Sequence, residues 1–450
     1  MTTSTTTTRM SGGLLAVLCG AIFLEGIDVA MLNVALPAIR ADLGLSTGTL
    51  SVVMSAYVVG YGGFMLLGGR AADLFGRRRM FLAWLGVFLV FSGLGGLATE
   101  SWMLLTARFV TGVAAAFMTP AGLSIITTSF AEGPQRHRAL LFYSGTAAAG
   151  FSLGLVAGGL LTAIHWRWVF FAPVLLSLVI LLAALRLIPA GTETRAPEQH
   201  LDATGAAAIT AAMMLLVLTL VRLEHPGEGW GWTLASFVTG SALLAAFVRI
   251  QRRATAPLVR LGILKSAALR RANLGAALFA GAFFGFQFLV VLYLQELRGW
   301  STLETGLAML LIGIDAVLAP TLTPWLVNRF GTAPVILGGT VLATAAYLLF
   351  LPVGPDWAYS AMLPSFVVLG LAFALAYGPL TIAATDSVDA GEQGLAGGLL
   401  NTSFQFGAAF GLSAAAAAYT AGDELSTALL VPVAMAALAS VITAQGLRRN

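Results

Sequence analysis

Long apolar runs, broken by short polar stretches, recur along the whole 450-residue chain. About fourteen are long enough to cross a bilayer, which takes about 20 mostly apolar residues. They lie near 13–36, 48–69, 80–98, 103–125, 138–162, 167–188, 203–221, 230–249, 273–294, 305–325, 333–351, 358–382, 394–418 and 425–445. The pattern predicts an all-α polytopic membrane protein with about fourteen transmembrane helices.

Charge placement tests that division. With the N-terminus inside, the arginines at 9, 70–79, 136–138, 186–195, 249–271, 329 and 448–449 all fall on one side. Positive charge collects on the cytoplasmic face, so both termini are expected to be cytoplasmic. Trp102, Trp166, Trp168, Trp230, Trp232 and Trp300 fall at the opposite interface, as an amphipathic ring belt requires.

The order also repeats. Val327-Asn328-Arg329-Phe330-Gly331 is a worn copy of Ala72-Asp73-Leu74-Phe75-Gly76-Arg77. Two six-helix bundles are expected, at 1–190 and 271–450. The two helices within 191–270 have no counterpart and read as an inserted pair with cytoplasmic linkers. Paired halves around a midplane site are how many secondary transporters are built.

Composition removes several alternatives. The chain is 58% hydrophobic and 10% charged, against about 25% charged in soluble domains. Its net charge of +4 follows topology and is no nucleic-acid signal. The single cysteine, Cys19, and four scattered histidines offer neither a disulfide framework nor ligand spacing for a metal. The first apolar run holds acidic residues and lacks a small-residue cleavage site, so it reads as a retained span. With Lys265 as the only lysine, the arginine bias and the Ala and Gly load suggest a GC-rich bacterial genome, and the multi-pass chain is expected in the bacterial inner membrane. No phosphate-cradling G-x-x-x-x-G-K-[ST] loop occurs, and no catalytic constellation is visible, so an enzyme is not expected.

The loop Gly69-Arg70-Ala71-Ala72-Asp73-Leu74-Phe75-Gly76-Arg77-Arg78-Arg79 resembles the G-x-x-x-D-x-x-G-R-R signature of the major facilitator superfamily. In the first span, Asp28-Val29-Ala30-Met31-Leu32-Asn33-Val34-Ala35-Leu36-Pro37 resembles the L-D-x-x-x-x-N-V-A-L-P motif of its fourteen-span drug:proton antiporters, with Ile27 in place of Leu. Arg108-Phe109-Val110-Thr111-Gly112 resembles R-x-x-Q-G, and Trp166-Arg167-Trp168-Val169-Phe170 resembles W-R-W-x-F. There are two departures: Thr111 replaces a Gln, and Leu155 replaces the proline of the usual Gly-Pro pair. The ladder Gly150, Gly154, Gly158 survives and offers one smooth helix face.

The resemblance implies an alternating-access, proton-coupled exporter of hydrophobic or amphipathic small molecules, with protons as coupling ion and no other cofactor. A monomer in the lipid bilayer is expected, without nucleic-acid partners. The missing proline leaves open a facilitator or importer of a defined metabolite.

A carboxylate in the membrane core costs about 2.5–3.5 kcal/mol on insertion scales, which makes such groups functional candidates. Glu25 and Asp28 lie a turn apart on one helix. Two carboxylates so close, away from bulk water, resist ionising together, which suits a group that takes up and releases a proton. Asp28 is the family position and Glu25 is extra. Asp315 is deep in another span, and Arg108 is a cation that needs a partner such as Asp28 or Glu25.

Gly69, Asp73, Gly76, Arg77 and Arg78 are expected to gate the cytoplasmic side, with Asp386, Asp389 and Glu392 as opposing partners. For substrate, the candidates are Asn33, Tyr143, Gln287, Tyr377, Asn401 and Gln405, with Phe117, Phe283, Phe286, Phe404 and Phe406. Aromatic walls with a few polar groups suit bulky amphipathic molecules.

Overall fold

Backbone polar groups in hydrocarbon must find partners within the chain, which restricts lipid-facing spans to helices or closed barrels. A computed structural model of the protein describes residues 4–45, 47–131, 133–189, 202–223, 229–254, 257, 261–354, 356–389, 392–422 and 425–447. Its regular elements are all helical. They are α1 (Ser4–Leu43), α2 (Thr47–Phe75), α3 (Arg77–Gly96), α4 (Ser101–Ser129), α5 (Pro134–Ile164), α6 (Trp168–Leu187), α7 (Ala203–Leu223), α8 (Trp230–Gln251), α9 (Ala267–Leu292), α10 (Thr302–Met309), α11 (Asp315–Phe330), α12 (Thr332–Phe350), α13 (Tyr359–Thr385), α14 (Gln393–Gly422) and α15 (Leu425–Ala444).

Eleven helical stretches among the described residues are long and apolar enough to cross a membrane. The other three predicted spans fall on helices α2, α7 and α14. The span near 305–325 is not a continuous α-helix, because a 3₁₀ turn, Leu310–Ile314, separates α10 from α11. Gly313 lies in that turn, where an added Cβ would meet the Ser152 Oγ at 2.9 Å.

The sequence repeat has a structural counterpart. α2 ends at Phe75 and α3 begins after Gly76, whose φ is 96°; α11 ends at Phe330 and α12 begins after Gly331, whose φ is 86°. Both turns need a backbone conformation that glycine adopts without penalty. Packing repeats as well. α1 lies against α5 and α6, α2 against α4, and α3 against α4 and α6. In the same order α9 lies against α14 and α15, α11 against α13, and α12 against α13 and α15. Across these two groups, α2 meets α14 and α5 meets α10, α11 and α13. α7 rests on both α2 and α14 and pairs with α8.

Apolar side chains left outside belong to a lipid-facing surface: Leu175, Val179 and Leu182 on α6, Leu234 and Val238 on α8, Leu438 and Val441 on α15. Trp102, Trp230 and Trp232 are exposed at one end. Trp166, also expected at this interface, is buried. Its Nε1–H donates to Asp42 Oδ2 at 2.8 Å, so it staples α1 to the α5–α6 turn.

The glycine ladder lets α1 and α5 touch at backbone distance. A Cβ added at Gly150, Gly154 or Gly158 would lie 3.0, 2.9 and 2.7 Å from the Cα of Phe23, Ile27 and Met31. Gly154→Leu is therefore expected to force α1 and α5 apart, at a cost of about 1–3 kcal/mol, and to lower the thermal unfolding midpoint of the detergent-purified protein. Gly86→Ala, with open space around it, is the control and is expected to leave the midpoint unchanged or slightly raised. Equal midpoints for both variants would refute the close-approach argument.

Candidate functional site

A cavity of about 300 Å³ lies between the two helix groups. α1 contributes Ile22, Glu25, Gly26, Val29 and Leu32. These recur at three- and four-residue spacing, the period of one helix face. α2 adds Tyr57, Val58 and Tyr61, one turn apart. Arg108 enters from α4, and Ala147, Phe151 and Ser152 from α5.

The two carboxylates of α1 have different partners. Glu25 accepts from Thr119 Oγ1 at 2.6 Å (Oε1) and 2.8 Å (Oε2), and from the Tyr61 hydroxyl at 3.3 Å. Tyr61 and Thr119 lie 3.1 Å apart, within reach for either hydroxyl to donate to the other instead of to Glu25. Asp28 instead accepts from Arg108 NH1 at 2.6 Å. The guanidinium also stacks 4.6 Å from the Tyr57 ring centre. All three charged groups are buried. Arg108 lines the cavity whereas Asp28 lies behind it, outside the lining. A buried ion pair loses hydration that its mutual attraction only partly restores, so each member needs the other to remain inside.

The opposite wall is aromatic. Phe283 and Phe284 come from α9, Phe373 and Tyr377 from α13, and Phe404 from α14. Ring centres are 4.6 Å apart for Phe283–Phe373, 4.9 Å for Tyr377–Phe404 and 5.4 Å for Phe373–Tyr377. Polar groups interrupt this wall at Asn401, Gln405 and Asp315. Asp315 is placed by the helix break, as the first residue of α11 after the 3₁₀ turn.

Of the sequence candidates, Glu25, Arg108, Asp315, Phe283, Tyr377, Asn401, Phe404 and Gln405 share this one cavity. Others lie elsewhere. Phe117 stacks on Trp84 at 4.3 Å, and Tyr143 packs into the core formed by α1, α3, α4, α5 and α6. Phe286 packs on Tyr347 and Phe350. Gln287 is buried outside the lining, as Phe406 is half-buried outside it. The side chain of Asn33 lies outside the described residues. Tyr57, Tyr61, Thr119, Ser152 and Phe284 were missed. The two tyrosines at i and i+4 were a readable signal, whereas nothing distinguishes Thr119 from the other threonines of α4.

At the arginine-rich end, Gly76 makes the α2–α3 turn and Gly69 faces Gly394 of α14. Arg78 donates to the carbonyls of Ile188 and Leu185 at 2.9 and 3.1 Å, anchoring the end of α6. Cations are favourable at a helix C-terminus. The Asp73 side chain lies outside the described residues. Of the expected gate partners, Asp386 bridges the two helix groups, while its partner His137 and the Arg136–Gln393 pair are residues that the sequence did not single out. His137 Nε2 lies 2.8 Å from Asp386 Oδ2. Arg136 donates to Gln393 Oε1 at 3.0 Å and to the Thr127 carbonyl at 3.2 Å. At the tryptophan-rich end, the Trp166 indole and the Arg167 guanidinium hold the Asp42 carboxyl below the usual carboxylate range. Among the described residues, no group of His, Cys, Asp and Glu is arranged to hold a metal ion.

The sequence profile of the Major Facilitator Superfamily matches residues 18–412. The cephamycin export protein of Amycolatopsis lactamdurans is 33% identical over 423 residues, covering 91% of this chain and 85% of its own length. The puromycin resistance protein of Streptomyces alboniger is 33% identical over 435 residues, covering 93% and 85%. At the level of fold, the human organic anion transporter superposes with a TM-score of 0.68 at 16% identity, over 97% of this chain and 98% of that one. A proton:xylose symporter superposes with a TM-score of 0.67 at 14% identity, over 97% and 96%. With the repeated helix packing and the shared cavity, these matches make the chain a multi-pass membrane protein that belongs to the Major Facilitator Superfamily.

Proposed function

We propose that this protein is a proton-coupled exporter of hydrophobic or amphipathic small molecules. It works by alternating access between a bundle at 1–190 and a bundle at 271–450, with 191–270 an inserted pair. The observation that carries this reading is the cavity itself. Buried carboxylates from both groups, Glu25 and Asp315, line one aromatic-walled space. The relatives named for antibiotic export or resistance support the same substrate class.

On this reading the arginine-rich end is cytoplasmic, both termini are inside, and the monomer works in a bacterial inner membrane. A voltage of roughly 100 mV supplies about 2.3 kcal/mol per charge moved, enough for about fifty-fold accumulation. Nucleotide is not needed, and no cofactor beyond the proton is invoked. Gly69, Asp73, Gly76, Arg77 and Arg78 keep a gating role, extended to the His137–Asp386 bridge.

The direct test uses protein reconstituted in vesicles and a fluorescent cationic dye, with and without an imposed pH gradient. Gradient-driven efflux by the native chain is expected. Equal dye movement without a gradient would make it a facilitator and end the proton-coupled reading. Arg108→Ala leaves the Asp28 carboxylate buried without its cation, a change that typically costs about 3–5 kcal/mol. It is expected to abolish efflux while the protein still inserts, and normal efflux would remove Arg108 from the machinery. For the gate, a cysteine at buried Ser144, in a Cys19→Ala background, reports opening at the arginine-rich end. Asp386→Asn is expected to speed its labelling from that side; an unchanged labelling rate would mean that the bridge is not a latch.

A further inference from the structure

The two carboxylates of α1 differ in a way that motif position does not reveal. We infer that Glu25, not Asp28, is the carboxylate that alternates between proton and cationic substrate, with Thr119 and Tyr61 as the positioning residues that hold it. This rests on the exporter reading and names the working site within it.

Access is the first argument. Glu25 lines the cavity and Asp28 does not. Partner chemistry is the second. Asp28 is bonded to a guanidinium at 2.6 Å. Arginine does not give up its proton in proteins, so protonating Asp28 would strand a buried cation. Among the described residues, the hydrogen-bond partners of Glu25 are both hydroxyls. A hydroxyl both donates and accepts.

When Glu25 is ionised, Thr119 and Tyr61 donate to it. When Glu25 takes a proton, its own O–H can donate to Thr119 Oγ1. The Thr119 hydrogen then turns to the Ala115 carbonyl, already 3.0 Å away on the same helix. The proton added to Glu25 is the only one gained, and every group stays satisfied without moving a heavy atom. Leaving a buried polar group unsatisfied is the usual penalty of such a change, and this arrangement avoids it in both states.

The surroundings name the substrate class. The charged or titratable groups around Glu25 are Asp28 on its own helix, Tyr57 and Tyr61 on α2, Arg108 on α4, Tyr143 on α5, Tyr377 on α13 and Asp315 across the cavity. Arg108 is answered by Asp28, so the wall is negative whenever Glu25 is ionised. Facing it are the rings of Phe283, Phe373, Tyr377 and Phe404. A planar aromatic cation fits both walls at once, with its charge at Glu25 and its rings on the aromatic side. Proton and cation then exclude each other at one carboxylate.

Ethidium is the probe. Its binding to the detergent-purified full chain is followed by fluorescence anisotropy from pH 5 to pH 9, with the thermal unfolding midpoint of every variant recorded alongside. Native binding is expected to strengthen as pH rises and the proton leaves. Glu25→Gln is expected to weaken binding at least tenfold and to flatten the pH profile. Thr119→Val, which removes a donor to the charged form, is expected to move the profile about one pH unit to the alkaline side. Thr119→Ser is expected to restore it, and Tyr61→Phe to move it less than Thr119→Val. Asp28→Asn is expected to lower affinity while keeping the slope.

A flat profile in Asp28→Asn with a native slope in Glu25→Gln overturns the assignment. So does an unmoved profile in a folded Thr119→Val, or a native chain that does not bind ethidium. Gradient-driven dye efflux by the native chain separates the two levels. If it persists while the pH profile follows Asp28, the exporter reading stands and this inference falls.

Discussion

A buried charge in a membrane interior has to be answered from within the protein, and the Asp28–Arg108 pair is where this chain meets that demand most directly. The pair joins α1 to α4 beside the cavity, and Tyr57 of α2 closes over the guanidinium. Three helices are thereby held in one register. That register lets Thr119, eleven residues and about three turns further along α4, reach Glu25 on α1. The ion pair is thus the fixed point against which the neighbouring carboxylate is set.

Around that point the two halves divide the work unevenly. The first supplies charge and hydroxyls: Glu25, Arg108, Tyr57 and Tyr61. The second supplies rings, with Asp315 placed among them by a break in its helix. With Leu155 in place of the family's proline, α5 runs unbroken from Pro134 to Ile164. The interruption lies in its neighbour instead, where the turn Leu310–Ile314 packs on α5.

Much of this was legible beforehand, and the reasons for the rest are physical. Apolar runs fix helices because lipid allows little else, so the spans were readable. The loop repeat was readable because Phe75-Gly76 and Phe330-Gly331 carry the same turn chemistry. Intramembrane carboxylates stood out by their cost. Hydroxyls did not: Thr119 bonds to its own helix as readily as to a neighbour, and the sequence carries no mark of which. Phe286 fell three residues from Phe283, a rotation that takes its ring out of the cavity and onto Tyr347. The bridges of His137 and Arg136 join residues about 250 positions apart, which no local pattern encodes. The 3₁₀ turn carries no proline, so the tenth span reads as continuous.

The glycine ladder on α5 has a consequence for energetics. Because α1 and α5 meet backbone to backbone, separating them would forfeit their whole close contact, and they are expected to travel as one piece. Glu25 on α1 and Ser152 on α5 then keep their mutual geometry whichever way the cavity faces. A ligand held by them alone would bind both orientations equally, and equal binding shifts no equilibrium. The difference that expels a molecule has to arise where the surroundings change between orientations, at the ring-bearing wall of α9, α13 and α14. Both walls contribute affinity, but only the ring-bearing one can give it a direction.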